Sequence, residues 1–378
     1  MNQTTLLTRE PVVNKKRAIT ANRLIAHGPN IASVVETLND LAGVWPEHRT
    51  VFVSLARLVP TPEILEWSVA SNAMIEIPAQ TLAHPQTQAL LPELRTAGIS
   101  TCLSWYSPGT ALPADMDWRF VLVDGRKHGS PSGAPSLALA WGLPDIGAFQ
   151  QAVRNGFDGA SGWFFLHGNP PPKDLSPAHA QIVRLLNLVR KNADITEIEA
   201  LLKQDVAISY KLLRYINSAG FGLMVEIQSF RHAVTILGYS NLNKWLSLLL
   251  VTASRDPGAE AMMQTSIARG RFMEEIGRNF FEKSELDNLF IAGAFSLLPI
   301  LLGTSMQAVL DEMHLPESVT DALLYEEGAY APFLKLAKAS ESFDPAVLKQ
   351  QIEELQLTYE QVNNALLTAV GFADSLQG

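Results

Sequence analysis

The chain has one cysteine, Cys102, in 378 residues. That excludes an internal disulfide and any metal site built on several thiolates. Cys102 falls in a strand-like segment and reads as a buried structural thiol. A basic excess is also missing. Lysine and arginine number 29 against 38 aspartates and glutamates, a formal net charge of −9, so the footprint of a nucleic-acid-binding protein is absent. No apolar run suits a membrane. The richest, Leu289 to Leu302, contains Pro299 and falls short of the ~20 residues that a spanning helix needs. Met1–Glu10 is polar and lacks the apolar core of a secretory signal. The expectation is a soluble, cytoplasmic protein with neither nucleic acid nor membrane as partner. The histidines, among them His48, His128 and His232, show no metal-ligand spacing, and Gly125, Gly129 and Gly133 form no phosphate-cradling pattern. No cofactor is implied.

What is present is a core-forming composition, 47% hydrophobic and 18% charged, over a length that suits two domains. Residues 1–168 alternate strand-like and helix-like segments, the mark of an α/β arrangement. Strands are predicted at Glu10–Asn14, Ala18–Asn22, Thr50–Leu55, Ala73–Ile77, Ile99–Leu103, Arg119–Val123, Ser136–Ala140 and Trp163–Leu166. Helices are predicted at Ile31–Leu41, Pro62–Ala70, Gln86–Ala97 and Ile146–Asn155. The first two strands are too close for a crossover helix and should pair as a hairpin. Eight strands suggest a barrel, but the segment is shorter than the roughly 200 residues of a full (β/α)₈ barrel, so some helices must be missing or short. A Pro-rich linker, 169–175, follows, and residues 176–378 read as helical throughout.

The most informative stretch runs from Asp205 to Gly238. Asp205 can cap a helix whose apolar face includes Ile208, Leu212, Leu213 and Ile216. Asn217-Ser218-Ala219-Gly220 ends that helix, and Ser229 can cap the next, which carries Ala233 and Leu237 and stops at Gly238. Between them, Phe221 and Met224 lie among glycines in a turn that could present apolar atoms to a partner. This stretch resembles the HDOD domain, a helical module of bacterial signalling proteins: Asp205, Leu212-Leu213-Arg214, Asn217-Ser218-Ala219, Ile227-Gln228-Ser229 and Ala233 through Leu237-Gly238 match in order. Val206 departs from it, standing where the family usually has proline.

Arg9-Glu10-Pro11-Val12, Ile75-Glu76-Ile77, Gly156-Phe157-Asp158 and Gly162-Trp163-Phe164-Phe165 resemble, in that order, the EAL domain of cyclic-di-GMP phosphodiesterases. The resemblance implies a barrel whose strand ends hold two divalent metals on hard oxygen ligands. Residue by residue, most of those ligands are replaced. The naming glutamate falls near Arg23, the strand asparagine at Ser54, the paired aspartates at Ser104-Trp105, the base lysine near Leu122 and the last glutamine at Ser161. Glu76 and Asp124 are retained, and the phosphate-contacting arginine falls near His27, with Arg23 or Arg57 able to compensate. The HDOD domain's metal-dependent relatives centre on a His-Asp dyad, for which Ser296 and Leu297 stand here.

The resulting expectation is a shortened, degenerate EAL-type (β/α) barrel followed by an all-helical HDOD domain, α/β plus all-α. It is a chain without metal, without cofactor and without enzymatic activity that acts as an adaptor for other signalling proteins. Cyclic-di-GMP is not expected as a ligand. The alternatives are a non-hydrolysing cyclic-di-GMP or nucleotide sensor and, third, a residual phosphodiesterase.

Overall fold

A computed structural model describes residues 5–168, 177–202, 230–252, 259–313, 315–342 and 344–376. By its internal contacts the chain divides into two compact units, Met1–Asn169 with Lys338–Leu367, and Pro170–Ala337 with Thr368–Gly378.

The first unit is built on a closed eight-stranded barrel in the order β1 to β8. Strands β1 (Leu6–Asn14) and β2 (Ile19–His27) form the expected antiparallel hairpin. β3 (Thr50–Ser54), β4 (Ala73–Pro78), β5 (Ser100–Tyr106), β6 (Trp118–Asp124) and β7 (Leu137–Trp141) follow in parallel. β8 (Gly159–Ser161) pairs parallel with β7 and antiparallel with β1, which closes the ring. Because side chains alternate along a strand, Val12, Ala21, Phe52, Met74, Cys102, Leu122 and Leu139 meet in one buried interior layer. The intervening residues, such as Val51, Val53, Ile75 and Ile77, are buried too, which explains why these strands read as continuous apolar runs. Cys102 is a fully buried thiol, as predicted, and burial pushes its pKa well up.

The barrel is shortened because only three crossovers carry an α-helix: α1 (Ile31–Asp40), α2 (Pro85–Thr96) and α3 (Ile146–Arg154). Asn30 and Asp145 cap α1 and α3, their side chains accepting from Ser33 N–H and Ala148 N–H. Two predicted elements differ. The helix expected over Pro62–Ala70 is a 3₁₀ turn, Pro62–Glu66, that ends where Trp67 turns extended to pack against Trp45 at 5.4 Å. The last strand is not Trp163–Leu166. That segment is buried aromatic turn, with Phe164 stacked on Phe149 at 4.5 Å, and the strand lies earlier, at Gly159–Ser161. A Cβ on Gly159 would come 2.3 Å from the Val13 carbonyl oxygen, so only glycine lets β8 reach β1.

The second unit is helical: α4 (Pro177–Arg190), α5 (Ile195–Leu202), α6 (Phe230–Thr252), α7 (Glu260–Gly277), α8 (Lys283–Phe295), α9 (Leu298–Leu302), α10 (Met306–Asp311), α11 (Glu317–Leu324) and α12 (Ala331–Ser340). α6 is bent at Gly238, whose φ of 72° is the left-handed conformation that glycine tolerates, so the helix stop read from sequence is real. α7 and α8 pack closely through Gly270 and Gly293: a Cβ on Gly293 would meet Gly270 Cα at 2.7 Å. α8 and α9 are separated at Ser296-Leu297, where Pro299 suits the first turn of α9 better than a helix interior.

The final helices are α13 (Pro345–Glu354) and α14 (Tyr359–Ser375). The sequence placed 338–367 with the helical domain; by contacts this segment belongs to the barrel's unit. Asn363 accounts for part of that. It is buried, its Oδ1 accepts from Leu7 N–H at 2.9 Å, and its Nδ2 donates to the Thr5 carbonyl at 3.0 Å.

Candidate functional site at the barrel mouth

The barrel's inward alternation carries Glu10, Arg23, Ser54, Glu76, Ser104, Asp124 and Ser161 to the strand ends, all of them buried. Arg23 dominates this layer. Its Nε and Nη2 donate to the two Glu76 oxygens at 2.5 and 2.9 Å, and its Nη1 donates to Glu10 Oε2 at 2.9 Å. Ser161 Oγ donates to the same Glu10 oxygen at 2.9 Å. Burial opposes charge on Arg23, but Glu76 and Glu10 outweigh it and hold the guanidinium above its usual pKa. The result is a buried cation bridging two carboxylates, with bidentate geometry on one of them.

The structure therefore brings the sequence-predicted barrel residues together. Arg23, His27, Ser54, Ser104 and Leu122 line one cavity of about 750 Å³, and Glu76 and Ser161 join them through Arg23 and Glu10. In sequence Glu10 is one residue of a family-like motif; its role as Arg23's second partner depends on the β1–β2 register, in which the two residues face each other. Arg23 is occupied by carboxylates and does not compensate for the missing phosphate-contacting arginine, whereas Arg57 lines the cavity. At the rim, Trp105 has a φ of 55° and is 41% exposed, meeting Trp141 edge-on at 4.3 Å. Arg126 lies over Trp141 at 4.7 Å and donates to Asp124 from Nε and Nη2, both at 3.0 Å. Burial alone would raise the Asp124 pKa, but the hydrogen bonds from Arg126 bring it below the usual carboxylate value.

These residues do not fit a pair of divalent cations. Glu10 and Glu76 already hold a guanidinium, Asp124 holds another, and Ser54, Ser104 and Ser161 are weak neutral ligands. Among the described residues no group of three or more His, Cys, Asp and Glu side chains is placed to hold a metal.

In the helical unit, Ser296 Oγ accepts from Arg269 Nη1 at 2.6 Å and donates to the Gly293 carbonyl, while Leu297 is buried. Deeper in the same unit Lys244 pairs with Glu274 at 2.6 Å and with Asp287 at 3.5 Å. Ala233 and Leu237 fall in α6. Asp205, Leu212, Leu213, Asn217 and Ser218, and the candidate partner loop with Phe221 and Met224, lie outside the described residues.

Residues 175–309 match the HDOD domain. The chain thus joins a closed eight-stranded barrel to a helical segment that matches the HDOD domain. Among curated proteins it is similar to the cyclic di-GMP phosphodiesterase CdgJ of Vibrio cholerae, 30% identical over 225 residues, covering 58% of this chain and 52% of that protein. It is also similar to the uncharacterized protein YuxH of Bacillus subtilis, 27% identical over 203 residues, covering 51% of this chain and 48% of the relative. The chain thus spans about half the length of the curated relatives it matches. Among solved structures, a standalone EAL protein from Vibrio cholerae O395 in its c-di-GMP-bound form is matched over 44% of this chain and 92% of its own, at 14% identity and a TM-score of 0.33.

One expectation is corrected here. The absence of enzymatic activity, read from the lost ligands, is overturned by the Vibrio cholerae relative, which is 30% identical and named a phosphodiesterase. No described helix is long and apolar enough to cross a membrane.

Proposed function

We propose that this chain acts in cyclic-di-GMP signalling as an adaptor that binds other signalling proteins. The HDOD match and the name of the Vibrio cholerae relative support the signalling context. The observation that carries the adaptor reading is the saturation of the barrel's polar layer. Arg23 takes up Glu10 and Glu76, and Arg126 takes up Asp124, so the barrel's polar layer is held together by its own charges and the protein offers its surfaces for recognition. Capture from a bacterial lysate with the full chain as bait tests it. The expected result is a saturable complex with a defined signalling protein, and a clean bait at micromolar concentration would refute it.

The name of that relative also favours a second reading, a cyclic-di-GMP phosphodiesterase. Incubating the full chain with cyclic-di-GMP and manganese or magnesium, and following the linear product, decides it. Turnover above a no-protein control would support this reading, and none would exclude it.

A further inference from the structure

β6 and β7 begin at Trp118 and Leu137, at the end of the barrel opposite the mouth, where Asp124 and Trp141 finish the same strands. The connections that lead into them, 107–117 and 125–136, carry no helix, whereas α1, α2 and α3 lie in other connections. A complete (β/α)₈ barrel has helices around its whole wall, so this sector is bare. At its base is an open recess of about 610 Å³, with Met116, Trp118, Pro135 and Leu137 as its apolar wall and Asp117 and Arg119 as its charges. Leu137 is 51% exposed. Trp118 Nε1 and Ser136 Oγ, both in the wall of the recess, are buried without a hydrogen-bond partner among the described residues, although buried polar groups are normally paired.

The charges decide what fits. Asp117 and Arg119 flank Trp118, and neither makes an ion pair among the described residues. Asp115, two residues earlier, is taken up by Arg95 at 2.8 Å. A recess with one free charge of each sign suits neither a polyanion nor a polycation, since either would face a charge that repels it. A second copy of the same patch faces none. Across a two-fold axis the patch meets itself, so Asp117 lies opposite Arg119 of the partner subunit and the same pair recurs on the other side. The two Leu137 side chains then cover each other between the ion pairs.

We propose that this chain pairs with a second copy of itself through the bare base of the barrel at β6 and β7, with Leu137 at the centre and two reciprocal Asp117–Arg119 ion pairs around it. An interface of ordinary size buries roughly 800 Å² on each partner, more than the recess alone. Most residues of 107–117 are exposed beside it and widen the contact. The strand ends at the mouth take no part, so the pairing stands whether or not the chain turns over a substrate or captures another protein.

Sedimentation equilibrium of the full chain tests the pairing, on the wild type and on Asp117→Arg, Arg119→Asp and Leu137→Asp, with melting temperatures to show that each variant is folded. The wild type should be a dimer at micromolar concentration. Each variant should weaken association by about tenfold or more, because like charges, or two carboxylates in place of leucine, then face each other across the axis. An equimolar mixture of the Asp117→Arg and Arg119→Asp proteins should associate again, since two arginines on one copy meet two aspartates on the other. A wild type that stays monomeric throughout the micromolar range overturns the proposal and leaves the recess to solvent or to another protein. A dimer that persists in a folded Leu137→Asp or Arg119→Asp protein overturns it too, since the copies then pair through another face. So does a mixture no more associated than its two components.

Discussion

The Arg23 guanidinium meets the Glu76 carboxylate edge to edge, Nε on one oxygen at 2.5 Å and Nη2 on the other at 2.9 Å, inside a barrel where Glu76 is 1% exposed. Two carboxylates, Glu76 and Glu10, depend on this one cation for their charge to be tolerated. Removing one partner of a buried pair leaves an uncompensated charge. Arg23→Ala should therefore lower stability by about 3–5 kcal/mol. Arg23→Lys should recover part of that loss, since a point charge replaces the two-pronged contact. Urea unfolding of both variants measures it.

Asn363 should matter to the first unit beyond its size. It supplies a strand-like donor and acceptor to β1 where Leu7 N–H and the Thr5 carbonyl face it. Asn363→Leu leaves both backbone groups buried and unpaired, at about 1–3 kcal/mol each. The expected outcome is a lower melting temperature, with proteolysis opening the segment around 338–367 before the barrel strands. Cleavage starting in the strands would contradict it.

His27 makes stability depend on pH in a predictable direction. Its pKa falls from the usual 6.5 when unfolded to about 4 when folded. Between those values the unfolded chain binds the extra proton, so stability rises as pH increases from about 4 to 6.5 and falls as pH drops through that window. His27→Gln should flatten the dependence of melting temperature on pH there and leave the profile above it unchanged.

Gly293 faces Gly270 with no room for a methyl group, the added Cβ lying 2.8 Å from the Arg269 carbonyl oxygen. Helical glycine is ordinarily improved by alanine, by roughly 1 kcal/mol. Here Gly293→Ala should destabilise instead, because α7 and α8 must separate. Thermal unfolding of the variant gives the sign.

Much of this was legible in the sequence. Alternation of strand-like and helix-like segments marked the barrel, the short gap before β2 marked the hairpin, and ordered motifs marked both domains. The replaced ligand positions at Arg23, Ser54, Ser104, Leu122 and Ser161 do converge on one mouth. What could not be read was pairing across strands. In sequence Arg23 is only a replaced ligand position, whereas its partners follow from the β1–β2 register and barrel closure. The aromatic run Trp163–Leu166 has the composition of a strand, and only the close approach permitted at Gly159 shows why the strand lies earlier.

The central claim is that a guanidinium fills the space between Glu10 and Glu76. Diffraction from crystals grown with manganese, recorded for its anomalous signal, tests this most directly. The account predicts side-chain density for Arg23 bridging the two carboxylates and no anomalous peak between them. A pair of manganese peaks there, with Arg23 swung away, would contradict it.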